Sequence, residues 1–363
     1  NTGDSKSRQM IRKAIRKNPQ ATVCVVGCYS QVAPQDIEAI EGVSIILGTQ
    51  FRNEIVDLVE KYQQTHERIV KVSEVKQLRK FEDLNIDRFL HTRAYLKIQD
   101  GCNNFCSYCK IPFARGRSRS RKKENILKEI EKLVNEGFKE IILIGINLGA
   151  YGEDLEEDID FEDLLEEILQ VKGLERVRIG SVYPDKISDR FVDMFKYKNL
   201  MPHLHISLQS CDDTVLKMMK RKYGSDLIEE RLLKLKNSVG NMEYTADIIV
   251  GFPGESEEMF QNSYNLIEKI GFSGLHIFQY SDRENTVASR LENKIDSKVK
   301  KERADRLEEL KKEMAIIERE NYIGKSLKIL IEEEIDGYLY GYSENYLRVK
   351  VKGDKKMINE IIE

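Results

Sequence analysis

Gly101-Cys102-Asn103-Asn104-Phe105-Cys106-Ser107-Tyr108-Cys109 sets three cysteines within eight residues. Three thiols on one short segment can hold three irons of a 4Fe–4S cluster, and no fourth cysteine follows nearby. Iron–sulfur ligation ordinarily takes four cysteines, so a three-ligand set leaves one iron open and marks a reactive cluster rather than an electron wire. Two plainer readings compete. Spacings of i, i+4 and i+7 would also line one stripe of a helix with buried thiols. Gly101, Asn103-Asn104 and Pro112 disfavour a helix interior and favour a loop. A zinc site would need a second ligand pair, and His66, His91, His203, His205 and His276 lack the spacing to complete one.

Outward from this loop, strand and helix patterns alternate. Strands are expected at Ala94–Gln99, Glu140–Gly145, Arg176–Ser181, His203–Leu208, Tyr244–Val250 and Leu275–Gln279, with helices such as Lys122–Glu136 and Glu257–Ile270 between them. Uninterrupted β/α units predict an α/β fold, a partial (β/α)6 barrel of the TIM type. In such barrels chemistry sits where strands end. The exits here are polar: the cysteine loop, Asn147, Ser181, Gln209-Ser210, Gly251-Phe-Pro-Gly-Glu255 and Gln279-Tyr280.

The barrel is expected over residues 91–322, closed by a charged helix at Ser297–Tyr322. Before it, residues 1–70 alternate a helix at 5–17, a strand at Thr22–Gly27, a helix opened by Pro34, a strand at Val43–Leu47 and a helix near Asn53–Gln64. That pattern is part of an open parallel α/β sheet, and residues 71–90 read as a linker. After the barrel, residues 323–363 alternate as short strands around turns at Asp336-Gly337 and Ser343-Glu344-Asn345. Tyr338, Tyr340, Tyr342 and Tyr346 among lysines suit an RNA-binding β-module, where rings stack bases and lysines meet phosphates. A packed tyrosine-rich β-tail is the plainer alternative.

The chain has 363 residues, 40% hydrophobic and 33% charged, enough for two or three domains. No apolar run reaches the roughly 18 residues a membrane span requires, and six cysteines in such a length make no disulfide framework, so a reducing cytoplasm is expected. Net charge is −3, but Lys110, Arg115, Arg117, Arg119, Arg121, Lys122 and Lys123 form a run without an acid. A second basic stretch occupies the first 17 residues, and Glu153–Glu167 is purely acidic in its charges. Charge runs are commonly solvated faces. A basic run directly after a reactive-cluster loop reads better as a guide for phosphate.

Cys-x3-Cys-x2-Cys after the first strand of a β/α barrel resembles the signature of the radical S-adenosylmethionine enzymes. Within them the whole chain is similar to the methylthiotransferases, through Val26-Gly-Cys28-Tyr-Ser-Gln31, Lys97-Ile-Gln-Asp-Gly-Cys102, Pro112-Phe-Ala-Arg-Gly116 with Ser118-Arg-Ser-Arg121, Gly145-Ile-Asn147, Ser207-Leu-Gln-Ser210 and Asp247-Ile-Ile-Val-Gly-Phe-Pro-Gly-Glu255. The opening Asn1–Arg16 looks most like the MtaB type, which modifies threonylcarbamoyladenosine in tRNA. The resemblance implies a C-terminal TRAM module and two 4Fe–4S clusters, with Cys102, Cys106 and Cys109 on the radical one. It implies that Tyr108 and Asn147 hold S-adenosylmethionine, with Ser181, Gln209 and Gly251 to Glu255 lining the pocket. A deoxyadenosyl radical would take hydrogen from carbon 2 of the adenosine beside the anticodon, where a methylated sulfur is then inserted.

Cys28 fits the third ligand of the auxiliary cluster, and the other two belong upstream of residue 1. Cys24 reads as a core-facing strand residue instead, and the C-terminal module reads as a residue or two short of its final strand. Cys211 stands where relatives carry glycine, and Lys110 where they carry an apolar residue. Expected partners are the tRNA anticodon stem-loop, through Arg115, Arg117, Arg119, Arg121, Tyr340 and Tyr346, and an electron donor such as flavodoxin or ferredoxin. The carboxylate of a threonylcarbamoyl group calls for an additional cation, which Arg115, Arg117 or Arg119 can supply. Alternative targets are isopentenyladenosine in tRNA or a ribosomal-protein aspartate. Alternative classes are another radical enzyme such as an RNA methylase, or a non-catalytic iron–sulfur RNA-binding protein.

Overall fold

The computed structural model describes residues 2–83 and 92–363, so His91 and most of the second half of the expected linker lie outside it. Compactness divides the chain into two units, and the division does not follow the pattern-based boundaries. One unit is residues 1–86 with 100–119 and 281–289; the other is 87–99, 120–280 and 290–363. The cysteine loop is thus grouped with the N-terminal region.

In the first unit, β1 (Cys24–Val26), β2 (Ile45–Leu47) and β3 (Ile69–Lys71) form a parallel sheet in that order. The third strand falls where polar sequence suggested none. Helices α1 (Thr2–Lys17), α2 (Cys28–Val32), α3 (Pro34–Glu38) and α4 (Ile55–Thr65) surround the sheet. Ile11 and Ile15 of α1 pack on Ile37, Ile40, Val43 and Ile46, the apolar stripe expected of an amphipathic helix. A short helix, α5 (Ile111–Arg115), follows the cysteine loop, and Thr49 Oγ1 donates to its Ala114 carbonyl at 3.1 Å. Within the expected linker, Val75–Gln77 make a 3-10 turn and Leu78 is buried.

In the second unit, β4 (Ala94–Lys97), β5 (Glu140–Ile144) and β6 (Arg176–Ile179) pair in parallel, in sequence order. A short strand, β7 (Ser181–Val182), continues β6 beyond Gly180, whose amide donates to Leu143 O at 2.9 Å. A Cβ at Gly180 would press on that same carbonyl, so only glycine lets the strand pass this close. β7 pairs with β8 (His203–Gln209), then come β9 (Glu243–Val250) and β10 (Gly274–Gln279), all parallel.

Helices α6 (Lys123–Asn135), α7 (Phe161–Leu169), α8 (Ser225–Val239) and α9 (Glu257–Ile270) alternate with these strands, and α10 (Ser297–Glu320) follows them. α9 shows why the sequence makes helices here. Ser256 caps its first turn by accepting from Met259 N; Phe260, Leu266, Ile267 and Ile270 form the buried stripe, and Gly271 ends it at φ +72°. Leu204, Ile206, Leu208, Tyr244, Ala246, Ile248 and Leu275 join the helices in one hydrophobic core. The alternate strand residues His205, Thr245, Asp247 and His276 therefore point to the opposite face.

The same unit holds an antiparallel sheet ordered β13 (Arg348–Val351), β12 (Tyr338–Ser343), β11 (Ile329–Ile335) and β14 (Ile361–Ile362). A buried charge cluster fastens it to the parallel strands. Glu140, fully buried, is paired with Arg176 and Arg178, and Arg93 reaches both Glu140 and Glu332. The two strand arginines then donate to the carbonyls of Lys328, Tyr342, Ser343 and Glu344. Burial alone would raise the Glu140 carboxyl, but Arg178, Arg93 and Arg176 outweigh it and hold it low.

Candidate active site

The cysteine segment is a loop, as its glycine and asparagines indicated; no helix spans residues 101–110. Gly101 has φ +74°, and a Cβ there would collide with the Arg117 carbonyl, so the close turn requires glycine. Cys102 N donates to Gly116 O at 3.1 Å, and Cys109 N donates to Cys106 O at 3.0 Å. Ser118 N donates to Asn103 Oδ1 at 3.2 Å. Cys102 and Cys106 are buried and Cys109 is half-buried.

This arrangement fits an iron–sulfur cluster. Asn104 N lies 3.5 Å from Cys102 Sγ and Ile111 N 3.4 Å from Cys109 Sγ, so backbone donors already aim at two sulfurs. Hydrogen bonds to cluster sulfurs are a principal control on stability and potential. Lys110, unexplained by the sequence, sets its ammonium 5.7 Å from the Phe113 ring centroid, a cation–π contact.

Cys28 opens α2, which lies against α5 in the same unit. The Arg115 guanidinium is half-buried against Asp100 and Cys28; burial lowers its basicity, and the two partners more than restore it. Cys24 is half-buried in β1, where burial raises its thiol. Cys211 is enclosed in the second unit, its thiol pushed up to about 12 by burial, and it stays an inert packing group.

In the second unit Asn147, Gln209 and Gly251 stand at or just beyond the carboxyl ends of parallel strands, and Ser181 opens β7 opposite His205. Gln99 is a member that sequence reasoning did not single out. Fully buried, its Oε1 accepts from Ile146 N at 2.9 Å and Asn147 N at 2.8 Å, fixing the turn that carries Asn147. Gln209 adopts φ +71° as the last residue of β8, the left-handed conformation uncommon outside glycine that often marks functional positions.

Four of the sequence-based assignments need correction. Glu255 is buried and committed to its own turn: its Oε2 accepts from Gly251 N at 2.6 Å and from Arg303 at 2.7 Å. Arg119 and Arg121 are each only 4% exposed. Arg119 pairs with Asp100 and donates to Arg115 O and Arg117 O, while Arg121 pairs with Glu129. Neither offers itself to phosphate; Arg117 remains exposed and Arg115 is half-buried. Tyr346 is not a base platform either, because His203 stacks on one face at 4.4 Å and Tyr342 on another at 4.7 Å.

β12 and β13 carry a second set of aromatic and basic side chains. Tyr338, Tyr340 and Tyr342 alternate with buried residues. Lys350 stands 3.9 Å from the Tyr338 ring centroid, and Arg348 5.2 Å from that of Tyr340. Arg348 and Lys350 were missed by sequence reasoning; the period-2 alternation of Arg348-Val-Lys350-Val was the available signal.

The family model of the radical SAM superfamily matches residues 96–267. Fold and cysteine loop together define a radical S-adenosylmethionine enzyme, which brings S-adenosylmethionine and a 4Fe–4S cluster with it. The chain is 44% identical, over all of its length and 82% of the relative's, to "Threonylcarbamoyladenosine tRNA methylthiotransferase MtaB" of Bacillus subtilis (strain 168). It is 37% identical to the protein of that name from Aquifex aeolicus (strain VF5), covering 98% of this chain and 86% of the relative. A "tRNA-2-methylthio-N(6)-dimethylallyladenosine synthase" of Clostridium perfringens (strain 13 / Type A) is also 37% identical, covering 97% and 80%. The chain belongs to the MtaB-type family of tRNA methylthiotransferases.

Proposed function

We propose that the chain adds a methylthio group to carbon 2 of N6-threonylcarbamoyladenosine next to the anticodon of tRNA. The observation that carries this reading is the Cys102, Cys106, Cys109 loop, held by Gly101 and furnished with N–H donors at two of its sulfurs. Those three thiolates would hold the radical cluster. Bound there, the cluster and S-adenosylmethionine supply reductive radical chemistry able to act on an unactivated C–H bond.

The residues of the chain do the rest. Asn147, Ser181 and Gln209 of the second unit bind S-adenosylmethionine, and Gln99 fixes the backbone beneath Asn147. Cys28 gives one thiolate to a second 4Fe–4S cluster, and Arg115, paired with Asp100 beside it, offsets its charge. The parallel strands of the second unit act as a partial (β/α)6 barrel, and residues 323–363 as a TRAM-type module. Its Tyr338, Tyr340, Arg348 and Lys350 stack bases and meet phosphates, and Arg117 adds a cation. A cytoplasmic flavodoxin or ferredoxin delivers electrons.

The 37% identity to a dimethylallyladenosine synthase keeps the isopentenylated nucleoside as a second reading. Mass spectrometry of tRNA nucleosides from cells lacking the gene separates the two. Loss of the methylthio group from threonylcarbamoyladenosine alone is expected; loss from the isopentenylated nucleoside would replace the assignment.

A further inference from the structure

We infer that His205, Asp247 and His276, on three neighbouring strands of the second unit, form a binding site for one divalent transition-metal ion of the zinc type. The trio is built by register. β8, β9 and β10 lie side by side, with His205 opposite Thr245 and Asp247 opposite His276. All three side chains point away from the hydrophobic core, on the open face of the sheet.

Their polar atoms converge on one point. Asp247 Oδ1 is 3.2 Å from His205 Nε2 and 3.3 Å from His276 Nδ1. The imidazole centroids are 5.2 Å apart, and one ligand atom from each residue falls within 4.8 Å of the others. Ligands about 2.0–2.2 Å from an ion stand about 3.0–3.5 Å from one another in tetrahedral or octahedral shells, so the two measured separations already match. Both imidazoles address the same carboxylate oxygen, which is the convergence a shared ion demands.

A supporting shell is also in place. His205 Nδ1 lies 2.9 Å from Thr245 Oγ1, leaving Nε2 as the ligating atom, and Thr245 is in turn 3.2 Å from His203 Nε2. A ligating histidine characteristically engages a polar partner through its other nitrogen. Two imidazoles and one carboxylate suit zinc and its neighbours rather than calcium or magnesium, which prefer all-oxygen shells. The His276 side chain is 63% exposed, so an ion can enter and keep positions open toward solvent or an anionic oxygen ligand.

The competing account is a hydrogen-bonded trio with no affinity for metal. Zinc ion alone is the probe, added to the anaerobically reconstituted, iron-loaded protein, with zinc and iron counted in the same desalted sample. The expected result is one zinc per chain with iron unchanged, and a higher thermal midpoint with zinc than without. Asp247→Asn and His276→Gln keep the size and polarity of the side chains, and each should weaken zinc binding at least about tenfold and abolish the thermal shift. Absent zinc, equal uptake by both variants, or zinc gained only as iron is lost would overturn the site. Iron content reports separately on the cysteine loop, so failure here leaves the proposed function untouched.

Discussion

Two regions rich in cations, the run from Lys110 to Lys123 and the face of β12 and β13, look alike in sequence and differ in structure. In the first, Arg119 and Arg121 turn inward onto Asp100 and Glu129. In the second, Arg348 and Lys350 stay exposed beside Tyr340 and Tyr338, and Arg348 meets the equally exposed Glu333, at 2.8 Å. A charge run therefore reports composition, and the burial of its ion pairs decides whether it braces the fold or stays open to solvent.

The largest effect expected from this contrast is on stability. Arg119→Ala leaves the buried Asp100 carboxylate short of one partner, and removing one member of a buried pair costs about 3–5 kcal/mol. Denaturant melts should show that loss, while the salt dependence of tRNA binding stays unchanged. An unchanged melt with a reduced salt slope would reverse the assignment.

Tyr340→Ala should do the opposite, weakening tRNA binding by about 1–3 kcal/mol, the worth of one stacked base, with little effect on the melt. Equal tRNA affinity in a filter-binding or anisotropy titration would remove the β-module from the interface.

Buried carboxylates sharpen the same lesson. Glu140 is held low by three arginines, whereas Glu318 is raised to about 8, by burial first and by Glu243 next. Glu243 is itself raised by burial, and its Oε1 accepts from Tyr322 OH at 3.0 Å. A carboxyl whose folded value lies above its unfolded one stabilises the protein below the unfolded value, near 4.5. That contribution is lost as pH rises through the folded value. Glu318→Gln should thus flatten the decline in Tm between about pH 5 and 8, leaving the variant about 3 °C above wild type at the alkaline end. Parallel Tm curves would show that the pair shares no proton.

The smallest effect is Lys350→Gln, expected to lower the slope of log K against log salt by about 1 and affinity only a few-fold.

Much of this was legible in the residues. The apolar alternation from Ala94 to Gln279 sufficed for the parallel strands, because helices cover their hydrophobic face and leave the other polar. Gly101 and the asparagines identified the cysteine segment as a loop before any coordinates. The three-residue strands β1 to β3 are too short for periodicity to reveal fully, and Ile69–Lys71 was lost among polar neighbours. Arg119 and Arg121 were misjudged because their partners are set by packing, not by local spacing. Tyr346 shares its sequence context with Tyr340, but a positive φ of 74° turns it between His203 and Tyr342. Glu255 could have been read correctly: a glutamate four residues after a turn glycine is placed to bond back to its amide.

The proposed chemistry requires that Cys102, Cys106 and Cys109 hold a cluster with one iron free for S-adenosylmethionine. Anaerobic reduction of the reconstituted protein with dithionite in the presence of S-adenosylmethionine tests it most directly. The wild type should form 5′-deoxyadenosine and Cys106→Ala none. A fully iron-loaded wild type that forms none, or a variant that forms as much, would contradict it.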